Sequence, residues 1–486
     1  MAGLSKSKIL EYRQCPRRLW LRVNSPELAQ DSTATEARFA QGNEVGEVAR
    51  MLHPSGVLIE AENLSQALAD TAEELARKRR RPMFEATFQA GGVLVRVDLL
   101  LPARGGYRLV EVKSSTSVKP YHLEDASVQA WVARQAGLPV TKVELAHVDN
   151  RFIYSGGNHY AGLFAHVDVS AEVKAREKDV PKWIGGAQKI LADKEPKVEP
   201  GSQCADPFEC PFLAHCAPVP ESERNGYPPE ILPRGAAIAA ELRAEGYNDL
   251  RKVPKGRLTN ATHVRIWQAT KRGKAELNAR AGAELRALPF PRYFLDFETL
   301  APAVPIWAGT RPYAQVPFQW SCHVQSRSGE LRQHAFLAPN ADDPRQGFAK
   351  SLLRVLRNRG PILVYNAGFE RSRMQELAAA FPDLAEALGA AIARIVDLLP
   401  LAREYYYHPK MRGSWSIKAV LPTIAPELSY GNLTVADGGM AQQAFAEIIH
   451  PDTPEERCNL LRKDLLAYCE RDTLAMVKVA QFFQKG

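Results

Sequence analysis

The chain has 486 residues, of which 45% are hydrophobic and 24% charged. This is globular composition with room for two to four separately packed domains, and it excludes a disordered or fibrous chain. Lys and Arg number 63 against 55 Asp and Glu, a formal charge of +8, which tilts towards a polyanionic partner without requiring one. No apolar run has membrane-spanning length, and the first twenty residues lack a continuous apolar segment with a small-residue cleavage site. A cytoplasmic protein without a membrane partner is therefore expected. Its seven cysteines should be reduced and available to a metal or cluster.

The first stretch, SKSKILEYRQCPRRLWL, has a serine start signal and apolar spacing at Ile9, Tyr12, Leu19 and Leu21, which predicts a short helix ending near Cys15-Pro16. Further helices are expected over 35–52 and 62–80. The run RKRRR at 77–81 reads as a solvated helix end or as a phosphate contact. Next, GGVLVRVDLLLPARGGYRLVEVKSS has two β-rich runs about Ala103-Arg104-Gly105-Gly106, a hairpin signal. A turn centred between Arg104 and Gly105 sets Asp98 opposite Glu111, on a shared face, and Lys113 lies two residues on from Glu111 on that same face. Two carboxylates and an ammonium at one point suit a metal and an attacking water; they equally suit a structural ion-pair cluster.

Asp98 with Glu111-Val112-Lys113 resembles the D…ExK core of PD-(D/E)XK nucleases of the RecB-like branch, and Gln129 in LEDASVQAWVARQAG matches the glutamine on that branch's next helix. The resemblance implies catalytic roles for Asp98, Glu111, Lys113 and Gln129, with Asp98 and Glu111 holding magnesium or manganese. That branch carries a histidine after a glycine on its first helix. This chain has Gly42 and no histidine there, leaving Glu47 as the substitute ligand ahead of Glu44, with Glu85 a weaker candidate. Cys204, Cys210 and Cys216 follow in C-x5-C-x5-C spacing, with Cys15 far upstream. This spacing is wider than that of a typical structural zinc site. The set resembles the iron–sulfur subset of RecB-like nucleases, including CRISPR-associated ones, and implies a structural 4Fe–4S cluster tying the two ends of the domain together. Cys322, Cys458 and Cys469 stand apart as expected core cysteines.

After a Pro- and Gly-rich stretch near 219–235, residues 221–288 read as a connector of short helices. Nine Lys and Arg fall between 251 and 280, against one acid, Glu276, which fits a nucleic-acid footprint or a solvated linker.

The third region, 289–486, opens on YFLDFETL. Strand alternation puts Asp296 and Glu298 on one face and Leu295 and Phe297 on the other. Paired carboxylates repel, and a divalent cation removes that penalty; solvated acids on a sheet edge are the alternative. Two more strands, a helix, the strand PILVYN, the helix FERSRMQELAAAF, a strand ending near Asp397 and a long amphipathic last helix follow. Asp464, Tyr468 and Asp472 lie along one face of that last helix. This order resembles the RNase H-like fold of DEDD (DnaQ-like) exonucleases: Asp296 and Glu298 meet the first motif, Glu370 in YNAGFE stands where Asp is usual, and Tyr468 with Asp472 meets Y-x3-D. The segment is also similar to an uncharacterised bacterial family with the same GFE and YCERDT wording. The resemblance implies that Asp296, Glu298, Glu370 and Asp472 hold metal and that Tyr468 orients or deprotonates the attacking water. Asp397 reads as structural and Asp464 as solvated. The aromatic run YYYHPKMRGSWSIKAVLP at 405–422 reads as a base-stacking, phosphate-holding segment or as packing.

The expected fold class is α/β multidomain: a RecB-like restriction-endonuclease fold with an Fe–S cluster (1–220), a basic helical connector (221–288) and an RNase H-like exonuclease fold (289–486). The expected function is metal-dependent hydrolysis of nucleic-acid phosphodiesters, DNA ahead of RNA, in repair, turnover or defence. A nucleic-acid-binding protein with one or both sites inactive is the alternative. No G-x4-G-K-[ST] loop occurs, so any unwinding falls to a partner helicase.

Overall fold

The computed structural model describes residues 3–31, 33–61, 63–218, 226–428 and 430–485. The chain forms two compact units of mixed α/β structure. One comprises residues 1–218 with 302–314, the other residues 219–301 with 315–486. The boundary expected at 220–221 falls in 219–225, outside the described residues.

In the first unit, strands β1 (Leu4–Ser5), β2 (Val57–Leu58), β3 (Met83–Ala90), β4 (Val93–Ala103), β5 (Gly106–Lys113), β6 (Val140–Val148) and β7 (Phe164–Asp168) form one sheet. Its order is β2-β3-β4-β5-β6-β7, with β1 parallel to β4. The β3–β4 turn is Gly91-Gly92, both at positive φ (58° and 76°), the backbone that a tight two-residue hairpin demands. Alternate β4 residues Val93, Val95 and Val97 are buried at 0–1% exposure, together with Ala126, Val128, Ala130 and Val132 of a helix that follows β5. Helices α1 (Lys6–Gln14), α2 (Pro16–Asn24), α3 (Thr33–Met51), α4 (Leu64–Ala76), α5 (Pro120–Gln135), α6 (Ser170–Glu177) and α7 (Val180–Ala192) complete the unit's longer elements. α4 stops four residues short of the expected end, so the arginine run lies beyond it. Arg77 and Arg81 pair with Glu74 at 2.9 and 2.7 Å, and Arg80 lies over the Tyr107 ring. These side chains engage partners while staying partly exposed to solvent.

In the second unit, β8 (Glu276–Leu277) pairs with β14 (Tyr406–Tyr407). The main sheet comprises β9 (Arg292–Leu300), β10 (Val316–Gln325), β11 (Leu331–Leu337), β12 (Ile362–Val364) and β13 (Ile395–Asp397), in the order β11-β10-β9-β12-β13. β9, β10 and β11 form the expected antiparallel meander, while β12 is parallel to both β9 and β13. The stretch expected as a connector does not stand apart. Leu242, Leu250, Val253, Ile266 and Trp267 are buried in one core with Phe294, Leu363, Val477 and Phe483. Apolar residues at helical spacing within the basic stretch account for this, because they need a surface to cover. The aromatic run packs as well: Tyr405, Tyr406 and Tyr407 are 7%, 1% and 0% exposed, which removes them as base-stacking platforms. No helix among the described residues is long and apolar enough to cross a membrane.

Candidate functional site

In β9, Leu295 and Phe297 are 0% and 3% exposed, and Asp296 and Glu298 project to the opposite face beside β10, whose Ser321 and Gln319 oppose them in register. The last helix of the chain, Glu455–Lys485, is held in register with β10 by polar contacts. Ser321 Oγ lies 2.9 Å from Thr473 Oγ1, His323 Nδ1 lies 2.8 Å from the same hydroxyl, and Gln319 Nε2 donates to the Leu465 carbonyl at 2.7 Å. This registration delivers Asp472 to β9. One carboxylate oxygen from each of Asp296, Glu298 and Asp472 lies within 4.8 Å of the others.

The electrostatics follow from that crowding. Burial, then the charges of Asp472 and Glu298, push Asp296 well above the usual carboxylate range. Burial followed by Asp472 raises Glu298 to about 8, and burial raises Asp472. Glu370, on the first turn of the helix Gly368–Ala380, is 2% exposed and is raised by burial to about 8. It stands outside the triad, yet its charge reaches both Asp296 and Glu298, and its Oε2 is buried without a hydrogen-bond partner. An all-oxygen donor set of repelling carboxylates with an orphaned acidic oxygen beside it fits a hard divalent cation such as magnesium or manganese.

Asp397 has the structural role expected of it. Its two oxygens accept the backbone N–H groups of Asn366, Ala367 and Leu399, each at 2.9 Å, fixing the turn that starts the Glu370 helix. Asp464 is half-buried rather than solvated, with Oδ2 lacking a partner. Three neighbours of the triad lie outside its motifs, and one of them, Lys418, belongs to the 405–422 run that the sequence offers as phosphate-holding. Tyr430 donates its hydroxyl to Asp472 Oδ1. Lys418 Nζ lies 3.3 Å from the Tyr468 hydroxyl and 2.7 Å from the Ala436 carbonyl, and its charge offsets those of Glu298 and Asp472. Cys469 packs its Sγ 3.9 Å from Asp296 Oδ2. Cys469 is separated by one turn or less from Tyr468 and Asp472, a signal that could have found it; Lys418 and Tyr430 arrive from segments with no periodicity. Asp296, Glu298, Lys418, Tyr468 and Asp472 line a cavity of about 150 Å³.

In the first unit, the β4–β5 register runs Leu99 to Val110 and Leu100 to Leu109. Continued by one residue, it sets Asp98 opposite Glu111, as the turn position predicts. The β3–β4 register, Phe84 to Leu99 and Ala86 to Val97, sets Glu85 on the other side of Asp98. Three acids thus lie in a row across β3, β4 and β5. Glu85 holds φ at 56°, a left-handed backbone that costs a non-glycine residue about 1–3 kcal/mol. Two ammonium groups face this row. Lys6 Nζ lies 2.8 Å from Glu111 Oε1 and 3.0 Å from Asp125 Oδ1; Lys113 Nζ lies 2.6 Å from Glu111 Oε1 and 2.5 Å from Asp125 Oδ2. Gln129, fully buried, donates to Glu111 Oε2, and the Val112 N–H donates to Asp98 Oδ2 at 2.8 Å.

Burial, with Asp125 and Asp98, raises Glu111 to about 7 despite both ammoniums. Burial alone would raise Asp125, but Lys113 and Lys6 overcome it and hold that carboxyl well below its ordinary value. Lys6 and Asp125 were not singled out in the sequence, because neither belongs to a D…ExK spacing. Glu47 does not join the group. It is exposed on α3 and its charge acts on Glu44, whereas α3 presents Arg50 to Glu85 at 3.9 Å. Val45, Val48 and Ala49 claim the buried side of α3 and leave Glu47 exposed.

The four cysteines come from α1–α2 and from the loop 204–216. Gln14 Nε2 donates to the carbonyls of Gln203 and Phe208 at 2.8 and 2.6 Å, tying that loop to the end of α1 beside Cys15. Burial raises the Cys216 thiol, opposed by Arg17, and the charges of Cys210, Cys15 and Cys204 all reach it. All seven cysteines are free. Among the described residues, the thiols of Cys15, Cys204, Cys210 and Cys216 do not gather within 4.8 Å of one another as the carboxylates of the triad do. Cys322 and Cys469 are buried as core cysteines should be, whereas Cys458 is half-buried.

Residues 293–416 match a family described as "Domain of unknown function (DUF2779)". Relatives include an "Uncharacterized protein MG366 homolog" of Mycoplasma pneumoniae, 24% identical over 212 residues, covering 40% of this chain and 32% of that protein. An "Uncharacterized protein UU173" of Ureaplasma parvum serovar 3 is 24% identical over 216 residues, covering 40% of this chain and 31% of that one. The chain thus spans about a third of the length of the curated relatives it matches.

Proposed function

We propose that the protein is a metal-dependent nuclease that hydrolyses phosphodiester bonds of nucleic acid, with its principal site at Asp296, Glu298 and Asp472. The observation that carries this reading is the approach of their three carboxylate oxygens to within 4.8 Å of one another on a partly buried surface. Strands in the order β11-β10-β9-β12-β13 with a carboxylate-bearing last helix support an RNase H-like exonuclease fold. Asp296, Glu298 and Asp472 would hold a divalent cation, with Glu370 beside them, and that cation would supply charge stabilisation to a phosphoryl group under attack. The chain's own groups do the rest. Tyr430 and Tyr468 orient Asp472 by hydrogen bonding, and Lys418 offers an ammonium where phosphoryl charge develops. In this reading the Tyr468 hydroxyl would also orient the attacking water.

The D…ExK row of the first unit supports a second, RecB-like nuclease site, stapled by a 4Fe–4S cluster on Cys15, Cys204, Cys210 and Cys216. There Glu111 and Asp125 are already paired to Lys6 and Lys113. That pairing favours a site that binds nucleic acid without cutting it unless a cation displaces an ammonium.

The test is hydrolysis of single- and double-stranded DNA and RNA with manganese, comparing Asp296→Ala and Asp98→Ala. Asp296→Ala should lose at least about a hundredfold in rate. Wild-type rates in both variants overturn the reading.

A further inference from the structure

The second unit holds a larger cavity, of about 870 Å³, whose lining shares Tyr365 and Ile417 with the small cavity at the triad. Three arginines line it from three separate segments: Arg234, Arg265 and Arg403. Among the described residues, no carboxylate lines it. Among those residues, too, Arg234 and Arg403 are exposed and have no acidic partner. Arg265 pairs with Glu276 at 2.8 Å yet keeps Nη2 buried without an acceptor. The first turn of the helix Ala261–Arg272, capped by Asn260, also contributes to the wall. Its N–H groups add positive potential to that of the guanidiniums.

The backbone around this cavity is strained. Arg234 holds φ at 54° and Asn366 at 81°, and both line it. Left-handed backbone at two non-glycine residues of one wall is maintained against its own cost, and such positions gather at binding sites. A cationic, acid-free hollow adjoining a carboxylate triad matches the two halves of one substrate. The triad takes a phosphodiester through a cation, and the arginines take phosphates further along the strand directly.

We propose that this cavity is the strand-binding subsite of the second unit. It would receive the sugar-phosphate backbone of a single nucleic-acid strand, whose terminal or scissile linkage lies at Asp296, Glu298 and Asp472. The proposal rests on the nuclease reading of that triad. Arg234 and Arg403 bind phosphate; Arg265, braced by Glu276 and the Arg403 carbonyl, positions the wall between them. The hollow is too polar to favour an apolar ligand, and with no acid on its described lining it has nothing to hold a cation.

The experiment measures binding of fluorescein-labelled single-stranded DNA and RNA of about 20 nucleotides, by anisotropy over a range of salt with calcium in place of magnesium. Wild type is compared with Arg234→Glu/Arg403→Glu and with Arg234→Gly. The double charge reversal should weaken binding at least tenfold and flatten the log–log salt slope by about 0.7 for each phosphate no longer neutralised. Arg234→Gly separates binding from folding: glycine relaxes the positive φ and should raise the melting temperature while still weakening strand binding. DNA and RNA arms report which sugar the cavity accepts.

Unchanged affinity and slope in both variants, in a wild type that cleaves strands with manganese, overturns the subsite and leaves the nuclease reading standing. So does a wild type that cleaves strands without measurable affinity for them. A wild type that neither binds nor cleaves any strand overturns both.

Discussion

Asp296→Asn removes one charge from the triad while keeping its shape, and its effect on stability should be opposite in sign to its effect on activity. Two unit charges 4.8 Å apart repel by about 3.5 kcal/mol at an effective dielectric of about 20. The protein already sheds part of this by holding protons: Glu298 and Glu370 are raised to about 8 and Asp296 further above its ordinary value. The remaining relief on substitution is about 2 kcal/mol, a rise of about 4–8 °C in the melting midpoint of this unit. The pH dependence has a definite sign. Carboxyls whose folded pKa exceeds the unfolded value bind more protons in the native state, so stability falls as pH rises from about 4.5 to about 8. The gain from Asp296→Asn should therefore be small near pH 5 and larger near pH 8. Calorimetry in chelator reads it directly. Added magnesium should reverse the order, because wild type gains stability by mass action and the variant loses a ligand. A variant that melts below wild type in chelator at about pH 8, or that responds equally to magnesium, would refute the crowding argument.

Lys6→Met leaves Lys113 alone against Asp98, Glu111 and Asp125. Urea unfolding without divalent cations should show a loss of about 3 kcal/mol in the first unit, and an unchanged midpoint would count against the ion-pair network. Gly413 holds φ at 78°, and a Cβ there would sit 1.7 Å from the Ile231 carbonyl. Gly413→Ala should therefore cost about 3 kcal/mol, read by the same method on the second unit. Cys216→Ser should abolish the broad visible absorbance expected of anaerobically purified protein and lower its melting temperature. A colourless wild type with bound zinc would replace the iron–sulfur assignment with a zinc site.

The strand hosting Asp296 and Glu298 was legible because alternation needs only local geometry. The hairpin register was legible too, since Arg104-Gly105 fixes the pairing of every residue behind it; Asp98 faces Glu111 for that reason alone. Tyr468 and Asp472 follow from helical spacing on one element. Glu47 misled, because helix spacing says which residues share a side and not which side the core claims. Lys6, Asp125 and Tyr430 carry no local pattern at all, and Lys418 shows only as one cation of the 405–422 run. Each joins its site across a gap in sequence, Lys6 reaching Glu111 over 105 residues and Lys418 reaching Tyr468 over 50.

From its amino acids alone, this protein was bound to have an acidic pair on an apolar strand, a D…ExK hairpin and three cysteines at even spacing, because periodicity and turn chemistry act over a few residues. Tertiary packing alone decided how those groups are charged. It closed three carboxylates together with the Lys418 ammonium at their edge, and it set two lysines against the other row of acids. It also drew the basic stretch into the second unit instead of leaving it a tether: Leu250, Ile266 and Trp267 are buried in that unit's core, and Arg234 and Arg265 line a hollow that shares Tyr365 and Ile417 with the cavity at the triad. Burial and long-range approach set those charge balances, and neither is encoded in the spacing of neighbours.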